Sequence, residues 1–463
     1  VAGDPGNEIR EVTRRLAFGG VTLVVLAFAT AQAEPAEPSG EAAEGARTTG
    51  LPKSVQWTFH FDAGFGFFGF GNSLYTNARP DPSGDLSDNW MESYVKPALS
   101  AAFRTGPSES YGKISAVGER TYAAPPPLVG GEASSFLVED LYAGWRSGKA
   151  LGSTENVLDL AVGRAPYTLG HGFLLWDGGG EGGSRGGFWS NARKAWEFAS
   201  IARLKQKQHT VEAFYLDRDE VPEEETGTRL WGTNYEFAPL EETTLGATYL
   251  QFHADPTTLP SRNGMSVYDV RAFTAPLRSM PTLSFELEFA HEDNGDLLAS
   301  TAWTAQAAYE LSKARWSPRL SYRYAFFEGD DPATTDNESF DPLLPGFYDW
   351  GAWWQGEIAG EYFLANSNLV SHQARVHVAP SEAVGAGLIG YAFRLDQPGS
   401  YGVVGVTSES LATELDAYCD WKVNGNFTAS FVAALGHPQD AVEQRFGRTD
   451  DFTYGMIYVA YSY

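Results

Sequence analysis

Four groupings of residues in this chain have types and spacing that could do chemistry. The first is the glycine-rich stretch Gly170–Gly187. A phosphate-binding loop needs a terminal Gly-Lys-Ser/Thr and a helix behind it, because backbone N–H groups cradle the phosphate and the lysine neutralises it. Neither is present, and glycines in such number also let backbone pack closely in a confined space. The second is His291-Glu292-Asp293-Asn294-Gly295-Asp296, which has the composition of a calcium loop. It lacks the ligand spacing of an EF-hand, and Asn-Gly is a strong two-residue hairpin signal. The acidic runs 217–225 and 328–341 read as solvated loop faces, with weak calcium binding as the alternative. The third is His60 with Asp62, a base beside a carboxylate with no serine nucleophile motif to serve. These patterns point to no catalytic residue, metal site, cofactor or enzymatic activity. The fourth is basic: Arg315, Arg319 and Arg323 recur at intervals of four, with Arg375 and His377 further along.

What an interval of four means depends on the element that carries it. From Val55 onward the dominant period is two. Val55, Trp57, Phe59, Phe61, Ala63 and Phe65 alternate with Gln56, Thr58, His60, Asp62 and Gly64. The same alternation runs through 94–104, 302–311 and 315–327, and it predicts strands with one apolar and one polar face. In 315–327 the apolar set is Trp316, Pro318, Leu320, Tyr322, Tyr324 and Phe326, so the three arginines share the other face. A soluble sandwich also alternates. Here the runs are about 11 residues or longer, as tilted membrane strands must be. Aromatic residues gather at their ends, as in interfacial girdles. The alternation in Phe452–Tyr463 persists to a terminal aromatic residue.

Composition agrees. Among 463 residues, 59 Asp+Glu stand against 33 Lys+Arg, a net charge of −26, which argues against a nucleic-acid partner. One cysteine excludes a disulfide framework and a cysteine zinc site. The 14% aromatic residues and 50 glycines suit a lipid-facing barrel better than a water-soluble enzyme. At the start, Arg10, Arg14 and Arg15, the apolar run Leu16–Ala29 and Ala31-Gln32-Ala33 predict an export signal over residues 1–33. Residues 34–53 then form a flexible lead-in, and 54–463 an outer-membrane barrel.

Connections alternate between short and long, and bacterial barrels keep short turns in the periplasm and long loops outside. Short turns are expected near 106–109, 206–208, 239–242, 277–281, 312–314 and 423–426, and long loops at 71–90, 167–195, 254–264, 329–350 and 396–407. The short Asn294-Gly295 turn falls on the external side. A plain count of strand-like runs is about 19, whereas two periplasmic termini require an even number. Assigning 350–366 to the preceding external loop restores parity. The expectation is therefore an all-β, antiparallel transmembrane barrel of about 18 strands with long extracellular loops and short periplasmic turns. The glycine-rich 170–187 stretch becomes the third external loop, folded inward as a constriction.

Alternation then assigns the interior charges. Lys96, Arg104, Lys113, Arg203, Lys205, Arg315, Arg319, Arg323, Arg375 and His377 face inward. So do Glu286, Glu288 and the row Glu414, Asp416 and Asp420, which is expected to stand across the lumen from the arginines. Opposed rows of charge set up a transverse field that orients a passing charged solute.

Several stretches also resemble the alginate-export family of outer-membrane barrels. They are Leu160-Ala161-Val162-Gly163-Arg164 followed by Gly170, and Phe198–Leu204 ending in Ala202-Arg203-Leu204. The later ones are Phe340-Asp341-Pro342, Gly356-Glu357, Tyr362–Leu369, the Pro380 turn and Thr413-Glu414-Leu415-Asp416. The resemblance implies a monomeric barrel whose arginine-rich lumen attracts an anionic polysaccharide. It marks Arg164 and Arg203 by motif position, and Arg319, Arg323 and Arg375 by alternation, as substrate-binding residues. The net charge of −26 departs from that pattern. The expected function is an outer-membrane channel for export or diffusion of an anionic or mixed-charge saccharide. Its partners would be outer-membrane lipid and lipopolysaccharide, the saccharide or a small solute, and a periplasmic export protein, but no nucleic acid. The alternatives are a general small-solute porin and a plugged structural or adhesive barrel.

Overall fold

The computed structural model describes residues 55–72, 88–123, 132–152, 154–190, 192–275, 282–346, 355–360, 366–402, 405–447 and 449–463. The expected export signal and lead-in lie outside these residues, as do parts of the expected connections at 71–90, 277–281 and 329–366.

Eighteen strands form one antiparallel sheet closed on itself. They are β1 Val55–Gly71, β2 Asp88–Thr105, β3 Ser108–Tyr122, β4 Ala133–Arg146, β5 Leu158–Arg164 and β6 Phe198–Gln206. Next come β7 His209–Asp217, β8 Arg229–Leu240, β9 Thr243–His253, β10 Ser266–Thr274, β11 Leu283–Asp293 and β12 Ala299–Glu310. The last third is β13 Arg319–Phe327, β14 Leu369–Ser381, β15 Val384–Arg394, β16 Ser410–Lys422, β17 Phe427–Pro438 and β18 Phe452–Ser462. Each strand pairs with its chain neighbours, and β1 closes on β18 from Asp62↔Ser462 to Gly71↔Thr453. Closure leaves no edge, which is what allows a sheet to stand in lipid. The parity argument holds: Gly356–Gly360, within the predicted 329–366 loop, is a single π-helical turn rather than a strand.

Period two decides the faces. Val95, Leu99, Ile114, Val162, Val270, Leu287, Leu320, Leu388, Leu415, Leu435 and Ile457 are exposed on the outer wall. Trp57, Phe59, Phe103, Trp421 and Phe427 ring the outside near the short-turn end, and Phe136, Phe198, Trp231 and Tyr268 near the long-loop end. This band is the lipid-contacting surface of a bacterial outer-membrane barrel.

The interior is not empty. Tyr167, Leu169, Phe173, Leu174, Leu175 and Trp196, from the 165–197 connection, are buried together with Phe252, Met265, Phe327, Phe340 and Leu344. The loop-side half of the barrel thus contains a hydrophobic core of its own, and connections fold into it.

Two sequence expectations change, and one element is new. Arg315 is not on a strand: β12 and β13 are joined by 311–318, where Trp316 and Ser317 take φ of 71° and 41° and break the alternation. Arg315 lies over the Trp316 ring at 4.7 Å, in a turn at the short-turn end. The acidic row of β16 does not stand across the lumen from the arginines. It lies two strands from β14 on the same wall, whereas nine strands separate opposite walls of an 18-stranded barrel. Finally, the connection after Pro438 contains a short helix, Asp440–Phe446, at the long-loop end, which the alternation did not indicate.

Candidate functional site

The connection 165–197 leaves the wall after β5, the shortest strand, and spans the interior. Tyr167 packs on Phe214 of β7 at 4.5 Å between ring centroids. His171 stacks on Phe273 of β10 at 3.7 Å and 4°, with Nδ1 3.6 Å from Glu286 of β11. Phe173 meets Phe327 of β13 at 5.8 Å. Trp189 packs against Phe68 of β1 at 5.0 Å and Tyr458 of β18 at 5.1 Å. One loop therefore touches walls on all sides, and the connection after β13 locks onto it. Trp176 N–H donates to the Leu344 carbonyl at 2.8 Å, and Gly346 N–H to the Gly172 carbonyl at 2.9 Å.

Carboxylates on the strands hold this loop by its backbone. Glu92 of β2 accepts the N–H groups of Trp189 and Ser190, both at 2.8 Å. Glu139 of β4 accepts those of Lys194 at 2.6 Å and Ala195 at 2.9 Å. A β-bulge explains why Glu139 is available. Between Ile114↔Leu141 and Ala116↔Val138, β4 has one residue more than β3, so the consecutive Glu139 and Asp140 both turn inward. Asp140 takes Lys113 at 3.0 Å and Ser115 Oγ at 2.5 Å, and Lys96 reaches Glu139 at 3.4 Å. Lys96 and Lys113 thus face inward as expected, each engaged by a bulge carboxylate.

The same device recurs on β16. Glu414 accepts the N–H groups of Ile358 at 2.7 Å and Ala359 at 2.8 Å, and Asp416 that of Glu357 at 3.2 Å. Both carboxylates are buried, at 4% and 0% exposure, so they anchor an inward segment rather than line open space. Asp420 lies below them, accepting Ser430 Oγ at 2.6 Å.

Among the predicted cations, Arg164 pairs with Asp219, in the connection after β7. Asp219 also takes Arg193 at 2.6 Å and Arg185 at 3.1 Å, so three guanidiniums converge on one carboxylate. Burial alone would raise its pKa. The Arg193 hydrogen bond and the charges of Arg164, Arg193 and Arg185 outweigh that and hold it below the ordinary value. Arg203 faces inward on β6 and binds Glu212 at 2.5 Å. Arg104 sits at the short-turn mouth, its side chain 83% exposed and 3.2 Å from Glu109.

Arg319, Arg323 and Arg375 do come together. Arg319 pairs in register with His377, Ser321 with Arg375 and Arg323 with Gln373, so the three guanidiniums occupy one patch of the β13–β14 wall. Arg323 Nε donates to Gln306 at 3.0 Å. Arg375 donates to the Tyr418 hydroxyl at 3.0 and 2.7 Å, and His377 Nδ1 lies 2.8 Å from the same oxygen. Tyr418 reaches them from β16 across Gly387, where a Cβ would come within 2.5 Å of its ring. Arg319 has no hydrogen-bond or ion-pair partner among the described residues.

Sequence reasoning missed a further buried cluster. Arg271 of β10 binds Asp269 at 2.6 Å, Thr248 at 2.8 Å, Asn234 at 2.5 Å and Glu236 at 2.9 Å. Gly246 leaves its guanidinium room, since a Cβ there would sit 2.7 Å away. Asp269 and Arg271 alternate with the exposed Tyr268 and Val270, so the signal was present. The bulge at Glu139–Asp140 had none, because alternation fails there. Arg185, Arg193 and Asp219 lie on loops, where no periodicity speaks.

The sequence matches the family model for alginate export over residues 186–455. No curated protein matches it. Among solved structures, it is similar to Pseudomonas aeruginosa OpdQ, with a TM-score of 0.55 at 12% identity, covering 88% of this chain and 98% of that one. Pseudomonas aeruginosa OccK8 (OprE) gives a TM-score of 0.54 at 10% identity, covering 88% and 98%. Pseudomonas aeruginosa OccK5 (OpdH) gives a TM-score of 0.54 at 11% identity, covering 87% and 97%. At these identities the likeness is one of fold.

Proposed function

The chain belongs to the alginate export family, and from that premise we propose that it carries an anionic or mixed-charge polysaccharide, or fragments of one, across the outer membrane. It is an outer-membrane channel of the barrel type. The observation that carries the substrate reading is the basic patch on β13–β14. Arg319, Arg323 and Arg375 lie side by side there, and Arg319 has no carboxylate to cancel it among the described residues. Charge in a low-dielectric passage concentrates the opposite charge of a solute. Several interior carboxylates are paired with cations, as Asp140 with Lys113, Asp219 with Arg193, Glu212 with Arg203 and Asp269 with Arg271, and others are buried against loop N–H groups, so the formal charge of −26 is a poor guide to what the passage attracts.

Arg164 and Arg203 would belong to the same path, with Lys96, Lys113 and Arg104 guiding entry from the short-turn side. In this reading the short-turn side faces the periplasm, where an export protein would dock, and lipopolysaccharide contacts the other rim. A second reading, a small-solute porin, is favoured by the loops that cross the interior, because folded-in loops leave narrow passages. Planar-bilayer recordings with an anionic oligouronate and a neutral oligosaccharide of equal length separate the two. Block by the anion alone, relieved by salt, supports the polysaccharide channel. Equal block by both favours the porin, and no conductance at all favours a plugged barrel.

A further inference from the structure

We propose that the 165–197 loop is seated by a proton shared between Glu181 and Glu119, so that rising pH releases the loop from the barrel interior. The two carboxyl groups meet in hydrogen-bonding contact, Glu181 on the loop and Glu119 on β3. Glu119 is 3% exposed, and neither of its buried oxygens accepts a well-formed hydrogen bond from an N–H or hydroxyl among the described residues, although the Ala192 backbone N–H lies near it. The buried Oε2 of Glu181 receives none either. Its other oxygen accepts the Arg193 backbone N–H at 2.5 Å. Two carboxylates in contact inside a protein cannot both ionise. One proton, covalent to one and donated to the other, removes the conflict.

The groups around the pair do not supply a substitute. Glu139 of β4 adds negative charge to Glu119, and the phenols beside the pair are neutral: Tyr94 of β2, itself near Asp62 of β1, and Tyr458 of β18, itself near Glu92 of β2. The cations nearby are committed elsewhere. The Arg193 guanidinium binds Asp219 at 2.6 Å and lies 3.7 Å from Glu139, and Lys194 binds Asp177 at 3.1 Å. Burial first, and the Glu119 charge second, hold the Glu181 carboxyl well above the ordinary range. The seated loop therefore binds a proton that the released loop gives up. The latch is complete below the ordinary glutamate pKa and is lost as pH rises through the raised value. Asp219 has the opposite sign. Its folded value is depressed, so its three arginines keep hold of it until strongly acid pH, and mild acid does not undo the latch from that side.

A second inward segment repeats the pattern. Glu357, in the turn Gly356–Gly360, is 1% exposed with Oε2 unpartnered, and it faces Asp416 and Asp420 of β16. Burial, then those two charges, push it well above the ordinary range. Two separate loops thus each bury a carboxyl of their own near carboxylates of the wall.

The test labels Ser190→Cys in a Cys419→Ser background with a maleimide polyethylene glycol, on the full folded barrel in liposomes between pH 6 and 9. Ser190 belongs to the seated loop, is part-buried there, and donates its N–H to Glu92. Rates are divided by those of the same protein carrying Glu181→Gln, which keeps the hydrogen bond without the charge. The ratio should rise by up to about tenfold per pH unit, the limit for one linked proton. Glu119→Gln should abolish the rise equally. A flat ratio, or Gln variants that label as fast as the parent at pH 9, would overturn the proposal. Conductance recorded in parallel should climb with pH only in the parent. Labelling that follows pH without any conductance would leave the latch standing and remove the channel reading instead.

Discussion

Glu139→Ala removes one side chain and disturbs four partners. In the folded barrel Glu139 accepts two loop N–H groups, at 2.6 and 2.9 Å, and stands 3.4 Å from Lys96 and 3.7 Å from Arg193. It is 0% exposed and Arg193 is 1% exposed, so water cannot replace what is lost. Breaking a buried ion pair from one side costs about 3–5 kcal/mol. The loop has a cheaper response than global unfolding, which is to detach and let Arg193 and Lys194 reach water. The expected consequence is therefore local. At about 1.4 kcal/mol per factor of ten, the opening equilibrium of the loop should rise at least about a hundredfold. Hydrogen–deuterium exchange on the liposome-inserted barrel reads this directly. Amides of Lys194 and Ala195 should exchange at least about a hundredfold faster, while those of β13 and β14 stay protected. Glu109→Ala, at the mouth, should leave all of them unchanged. If Glu139→Ala and Glu109→Ala give the same exchange map, the idea that strand carboxylates seat the loop is wrong.

Other outcomes follow from the same geometry. Leu320 points outward and Ser321 inward, so Leu320→Arg should cost roughly 2–4 kcal/mol more in folding into bilayers than Ser321→Arg, measured by urea titration. Tyr418→Phe removes the hydroxyl that receives Arg375, a hydrogen bond to a charged group worth about 1.5–3 kcal/mol, and the same titration should show the loss. Gly246→Val should displace the Arg271 guanidinium and lower the unfolding midpoint, whereas Gly425→Val, with open space around it, should not. Cysteines at Asp336 and Glu338 should react with a membrane-impermeant label on intact cells, and one at Asn424 should not.

Much of the fold was legible because a barrel strand has a strict period of two and lipid punishes errors of phase. Alternation placed Leu320 and Leu415 outside and Arg319, Arg323 and Glu414 inside, and parity rejected a strand at 350–366. The failures are equally physical. Alternation through Trp316 and Pro318 drew Arg315 onto a strand, but a turn with two residues at positive φ intervenes. A bulge adds one residue to β4 and puts Glu139 and Asp140 on the same side, which no periodic reading can anticipate. Facing sign was read correctly for the β16 carboxylates, but alternation says nothing of distance around the barrel. Only strand order shows them beside the arginines rather than opposite. Nor does alternation reveal that an inward carboxylate serves a loop backbone, as Glu414 does for Ile358 and Ala359.

The central claim is that the β13–β14 arginines, and not the overall charge of −26, set what the channel attracts. The most direct test is the reversal potential of Arg319→Glu with Arg323→Glu in a planar bilayer under a salt gradient. A unit charge pair 4 Å apart interacts by about 4 kcal/mol at an effective dielectric near 20, and salt screens it over about a Debye length. The double variant should therefore shift strongly toward cation selectivity at low salt and weakly at high salt, and anionic oligosaccharide block should fall with it. Unchanged selectivity in that variant, with a clear shift when the acidic 219–225 run is deleted instead, would contradict the account.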